Sequence, residues 1–135
     1  MSNQKKNPNI LIAEKQIIQS IPSLSAIYLF GSYGSNYQRK DSDIDLAILT
    51  KEEIEILSLW EIAQNISLEI KIDVDLIDLR KASTVFCFQI LTEGKRIYAP
   101  NPSYSDKFET VALSMYLNLN EERKEILEDQ KKWTM

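Results

Sequence analysis

Apolar and polar positions alternate in three clear regimes along the chain. Residues near 8–20 carry Ile10, Leu11, Ile17 and Ile18 at helical spacing, and Pro22 closes that segment. Ile27-Tyr28-Leu29-Phe30 is a short apolar run stopped by Gly31, the pattern of a buried strand. Residues 31–42 are polar and rich in turn formers. Residues 43–49 then alternate with period two and predict a second strand. Ile54, Leu57, Trp60 and Ala63 predict a helix over 51–66, and Asp73–Leu79 alternates again as a third strand. A helix is predicted over 83–93, closed by Gly94 in a left-handed conformation. Residues 95–98 predict a short strand. Pro100, Asn101, Pro102 and Ser103 read as a linker, followed by a long helix over about 105–130 with Phe108, Ala112, Met115 and Leu119 on one stripe. This order predicts one α+β domain, a small mixed sheet with helices packed on one face. A core over 1–100 and a C-terminal helical segment over 104–135, seated on that core or on a partner, are the expected divisions.

Composition narrows the chemistry. The chain has 135 residues, 44% of them apolar and 27% charged, which suits one folded domain with its own core. Its single cysteine, Cys87, lies in the apolar run Val85-Phe86-Cys87-Phe88 and reads as a buried thiol. Histidine is absent, which removes serine–histidine and cysteine–histidine catalysis and histidine-ligated zinc. A metal site here must use oxygen ligands, which favours magnesium or manganese. The formal net charge of −4 disfavours general nucleic-acid binding. No run is apolar enough for a membrane span and no signal-peptide core follows Met1, so a cytoplasmic protein is expected.

Chemistry concentrates in one segment. Gly31-Ser32 is followed, after ten residues, by Asp43-Ile44-Asp45. Residues two apart on a strand share a face, so Asp43 and Asp45 stand side by side while Ile44, Leu46 and Ile48 point into the core. Two like charges that close repel unless a cation lies between them. Asp73 and Asp75 repeat the device on the third strand, and Asp78 has the other parity. One of these aspartates beside the first pair makes a three-carboxylate cluster able to hold two magnesium ions, one serving the attacking oxygen and one the triphosphate and leaving pyrophosphate. Gly31 permits close backbone approach to an anion, with Gly34 and Asn36 also permissive. Taken singly, an Asp-x-Asp, a Gly-Ser, or the loop residues Tyr33, Tyr37, Arg39 and Lys40 are commonplace on solvated surfaces. Their order and spacing together are specific.

That combination resembles the nucleotidyltransferase superfamily that includes DNA polymerase beta: Gly31-Ser32, ten residues, Asp43-Ile44-Asp45, and a third aspartate, Asp75, in Val74-Asp75-Leu76-Ile77-Asp78-Leu79. Nearly the whole chain resembles the minimal nucleotidyltransferase antitoxins of the MntA type, paired with HEPN-domain ribonuclease toxins. The shared stretches include Ile27–Tyr33, Asp73–Arg80, and Ser114-Met115-Tyr116 with Glu121-Glu122-Arg123. The resemblance implies a polymerase beta-like fold and transfer of AMP from ATP to a tyrosine of the partner toxin, in a hetero-oligomeric complex. It implies that Asp43, Asp45 and Asp75 are catalytic and bind two magnesium ions, and that Gly31, Ser32 and Ser42 contact the nucleotide. The chain departs from the family where Gly34-Ser35-Asn36 replaces the common Ala-Arg-Gly. A short acidic chain with no room for fingers and thumb suits a protein acceptor better than a polynucleotide. Two other readings stand beside it. One is an antitoxin that neutralises by binding alone, through the long C-terminal helix and the tail with Trp133. The other is a nucleotidyltransferase for a small molecule.

Overall fold

In the computed structural model the described residues are 7–31 and 43–133. Helix α1 spans Pro8–Ser20; Asn7 caps it by accepting from the Asn9 N–H at 2.8 Å, and Pro8 occupies the first turn, where its missing N–H costs nothing. Strand β1 is Leu24–Phe30 and β2 is Ile44–Thr50. Helix α2 spans Ile56–Ile70, β3 Val74–Asp78, α3 Thr84–Glu93, β4 Lys95–Tyr98 and α4 Pro102–Trp133. The sheet order is β3-β2-β1-β4. β1 runs antiparallel to β2 and β4, and β3 runs parallel to β2 through the α2 crossover, so the sheet is mixed.

The class, the mixed sheet and the long C-terminal helix are as expected, but the helices cover both faces rather than one. The central strands are apolar at both parities. Ile27, Ile44, Leu46 and Ile48 meet α1 and α2 through Ile17, Leu59, Ala63 and Ile66. Ala26, Tyr28, Ala47 and Leu49 meet α3 and α4 through Cys87, Ile90 and Ala112. Two apolar faces need two covers.

Three local expectations change. Helix α2 begins at Ile56, not at 51, because the preceding segment is tied elsewhere: the Lys51 N–H donates to the Ser23 carbonyl and Lys81 Nζ to the Ile54 carbonyl. Gly94 ends α3 with an extended backbone, φ −87° and ψ −173°, not a left-handed one. Its lack of a side chain matters for space instead, since a Cβ there would lie 2.8 Å from the Leu29 carbonyl oxygen. The supposed linker is shorter than predicted, since Pro102 is the first residue of α4. Cys87 is buried, and burial pushes its thiol ionisation up. Among the described residues no helix is long and apolar enough to cross a membrane.

Candidate active site

Sheet register builds the site. On β2, Asp45 lies between Phe30 of β1 and Asp75 of β3. Neighbouring strands are about 4.8 Å apart, so the Asp45 and Asp75 side chains stand next to each other on one face. Asp43 sits one step before β2, and the Ile44 N–H donates to the Asp73 carbonyl at 2.9 Å, extending the pairing past the strand ends. Helix α2 sets this register: its Ser67 hydroxyl donates to the Ala63 carbonyl and accepts from the Val74 N–H, both at 2.9 Å, pinning the start of β3 to the helix end. Lys71 makes the turn between them with φ 58°.

Electrostatics mark the same place. The Asp45 carboxyl is held above its ordinary range, first by burial, then by the charge of Asp75, then by that of Asp43. Asp43 and Asp75 are exposed and Asp45 is half-buried. Gly31 follows β1 directly with φ +78°, and a Cβ at that position would collide with Asp45 Oδ2. Only glycine fits both the angle and the space. The end of β1 at Gly31 therefore packs directly against the Asp45 carboxylate.

All three sequence-predicted carboxylates and Gly31 thus come together. Ser32 and Ser42 lie outside the described residues, as do Tyr33, Tyr37, Arg39, Lys40 and the Gly34-Ser35-Asn36 departure. Asp78 does not join. It is buried, and its Oδ1 accepts from the Arg80 N–H at 3.1 Å, capping a short 3₁₀ turn, Leu79–Lys81. Asp73 instead joins Asp43 and Asp75 along a cleft of about 460 Å³ under α2. Trp60 and Gln64 line that cleft too, although in the sequence Trp60 served only as one of the residues whose spacing predicts a helix. The signal lay in Leu59, Ala63 and Ile66, spaced by four and three, which are the buried positions.

The donors are hard oxygens, and clustered negative charge at a half-buried carboxylate fits a small divalent cation. Among the described residues no three acidic groups are already closed into a ligand set.

Comparison with known proteins gives the family and the fold. The family model described as polymerase beta, nucleotidyltransferase matches residues 14–103. The protein adenylyltransferase MntA of Shewanella oneidensis is 40% identical over 126 residues, 93% of this chain and 88% of that protein. A chain in a crystal structure of a toxin–antitoxin with AMP-PNP superposes with TM-score 0.79 at 38% identity, over 93% of this chain and 99% of its own. Another, from the tri-AMPylated Shewanella oneidensis HEPN toxin in complex with MNT antitoxin, gives 0.72 at 38% identity, over 91% and 98%.

Proposed function

Since the chain belongs to the polymerase beta nucleotidyltransferase family, we propose that it is an antitoxin that transfers AMP from ATP to a tyrosine of a cognate HEPN ribonuclease toxin. The observation that carries this reading is the register that sets Asp45 between the Gly31 turn and Asp75, in a chain so similar to a protein adenylyltransferase. Asp43, Asp45 and Asp75 would hold two magnesium ions, and Gly31, Ser32 and Ser42 would receive the nucleotide. When bound, the ions neutralise the triphosphate and sharpen the acceptor oxygen. The phenol oxygen bonds to the α-phosphorus as the bond to pyrophosphate breaks; pyrophosphate leaves with the electron pair and the phenol proton passes to water. Positioning and charge neutralisation carry such a transfer, so a chain without histidine can perform it.

Helix α4 serves core and partner together. Tyr104, Phe108 and Ala112 seat its first half on the second core, while Leu117, Ile126 and Leu127 remain exposed for the toxin. The protein works in the cytoplasm, where ATP and the toxin's RNA substrates are.

The test uses the purified full chain, its cognate HEPN ribonuclease, ATP and magnesium. The expected result is a toxin tyrosine heavier by AMP units, together with loss of RNA cleavage. An unmodified toxin after incubation with folded protein would sink the proposal.

A further inference from the structure

Phe30 stands between the core and the carboxylates. It is the last residue of β1 and the register partner of Asp45 on β2. The next residue is Gly31, which packs against Asp45. Pairing with β4 stops one residue earlier, at Leu29 opposite Lys95. Phe30 therefore has strand support on the β2 side only, and side-chain packing from α3 supplies the rest. The Phe86 ring meets the Phe30 ring edge to face, with centroids 5.8 Å apart and planes at 81°. At the far end of the same helix Gly94 approaches so closely that a Cβ there would lie 3.2 Å from Phe30 Cβ.

Helix α3 is itself fixed where it delivers that ring. Ser83 caps it, its hydroxyl accepting from the Phe86 N–H at 3.1 Å. Cys87 and Ile90 seat it on the second core, and Phe30 and Phe86 pack at the margin of that core, both half-buried. Burial alone asks only for a large apolar side chain at 86, whereas an edge-to-face pair asks for a ring. Gly31 leaves little slack beyond it. Its φ is +78°, and the space beside Asp45 is too small for a methyl group. A swing of Phe30 carries Gly31 either into the carboxylate or away from it, and binding groups need placement to within roughly 0.5 Å.

We propose that Phe86 is a positioning residue for nucleotide binding: its ring fixes Phe30, and Phe30 fixes Gly31 against Asp45. Phe86 acts through Phe30 and not by contact with the nucleotide. The inference rests on the reading of Gly31 as a nucleotide contact and adds to it the group that holds Gly31 in place.

The experiment compares the full chain with Phe86→Leu, Phe86→Tyr, Phe30→Leu, the double variant Phe30→Leu with Phe86→Leu, and Ile90→Val. Ile90→Val loosens the same core from the same helix and leaves the ring pair intact. Affinity for AMP-PNP with magnesium is measured by calorimetry, and KM for ATP by AMP incorporation into toxin. Phe86→Leu is expected to weaken AMP-PNP about fivefold, the scale of one aromatic pair, and to raise KM for ATP by the same factor. Phe86→Tyr keeps the affinity of the wild type. Ile90→Val lowers the melting temperature without changing affinity. The double variant loses no more than either single one, because both break the same contact. An equal loss in Ile90→Val would make the ring merely structural and overturn the assignment. So would losses that multiply in the double variant, since Phe86 would then act on the nucleotide directly. Wild-type protein that binds no AMP-PNP removes the nucleotide reading and the positioning role together; wild-type binding with Phe86→Leu unaltered removes the positioning role alone.

Discussion

Asp45 and Gly31 touch each other, yet they respond to substitution in opposite ways. A carboxylate whose ionised form is disfavoured by burial and by two like charges costs the folded state stability at neutral pH. Asp45→Asn removes that cost. We expect its metal-free melting temperature to hold or rise, while AMP transfer and stabilisation by magnesium both disappear; a large fall in melting temperature would make Asp45 structural. Gly31→Ala adds a side chain at φ +78°, against Asp45 Oδ2. It is expected to destabilise the fold by about 1–2 kcal/mol in denaturant melts as well as to lower transfer. Both residues were legible in the sequence, because period-two alternation and a glycine after an apolar run are local signals. The separate fates of Asp73 and Asp78 were not, since they depend on a cap and a cleft made by other elements.

At the level of elements, helix positions were read well and helix faces less well. Ile54, Leu57, Trp60 and Ala63 advance by three, short of the 3.6-residue turn, so the series winds off the buried face. Leu57 is 64% exposed while Leu59 is buried. Gly94 was correctly placed at the end of α3, but its role is set by the close approach of the β1 backbone, which no local pattern encodes. The attachment of α4 was equally hidden. Arg96 on β4 donates to Ser105 Oγ at 3.1 Å and to Asp106 and Glu109 at 2.7 Å each, fastening the first turns of α4 to the sheet. Arg96→Ala should cost about 1–2 kcal/mol. Faster amide exchange confined to the start of α4 is the expected signature, and uniform protection across the helix would count against a fastening role.

For the whole molecule, neutralisation by transfer and neutralisation by binding alone predict different outcomes. The site occupies one end of the sheet, whereas the exposed apolar residues Leu117, Ile126 and Leu127 lie far along α4. On the proposed reading, chemistry and the α4 contact with the toxin are therefore separable. Asp43→Ala combined with Asp45→Ala should still co-purify with the toxin but leave cells co-expressing the pair growth-arrested. Normal growth would assign neutralisation to contact rather than to transfer. The α+β class followed from alternating segments and their order. The second covered face did not, because apolar residues at both parities of β1 and β2 gain meaning only when α3 and α4 return to the sheet. The pairing of Asp45 with Asp75 also bears on how the chain acquires competence. These strands are parallel and joined by the whole of α2, so they meet only after a long loop closes, a slow kind of step. A slip of one residue in β3 would turn Asp75 to the opposite face while leaving helix content nearly intact. Recovery of AMP transfer during refolding would then lag behind recovery of circular dichroism, and enzymatic activity would serve as a clock for strand alignment.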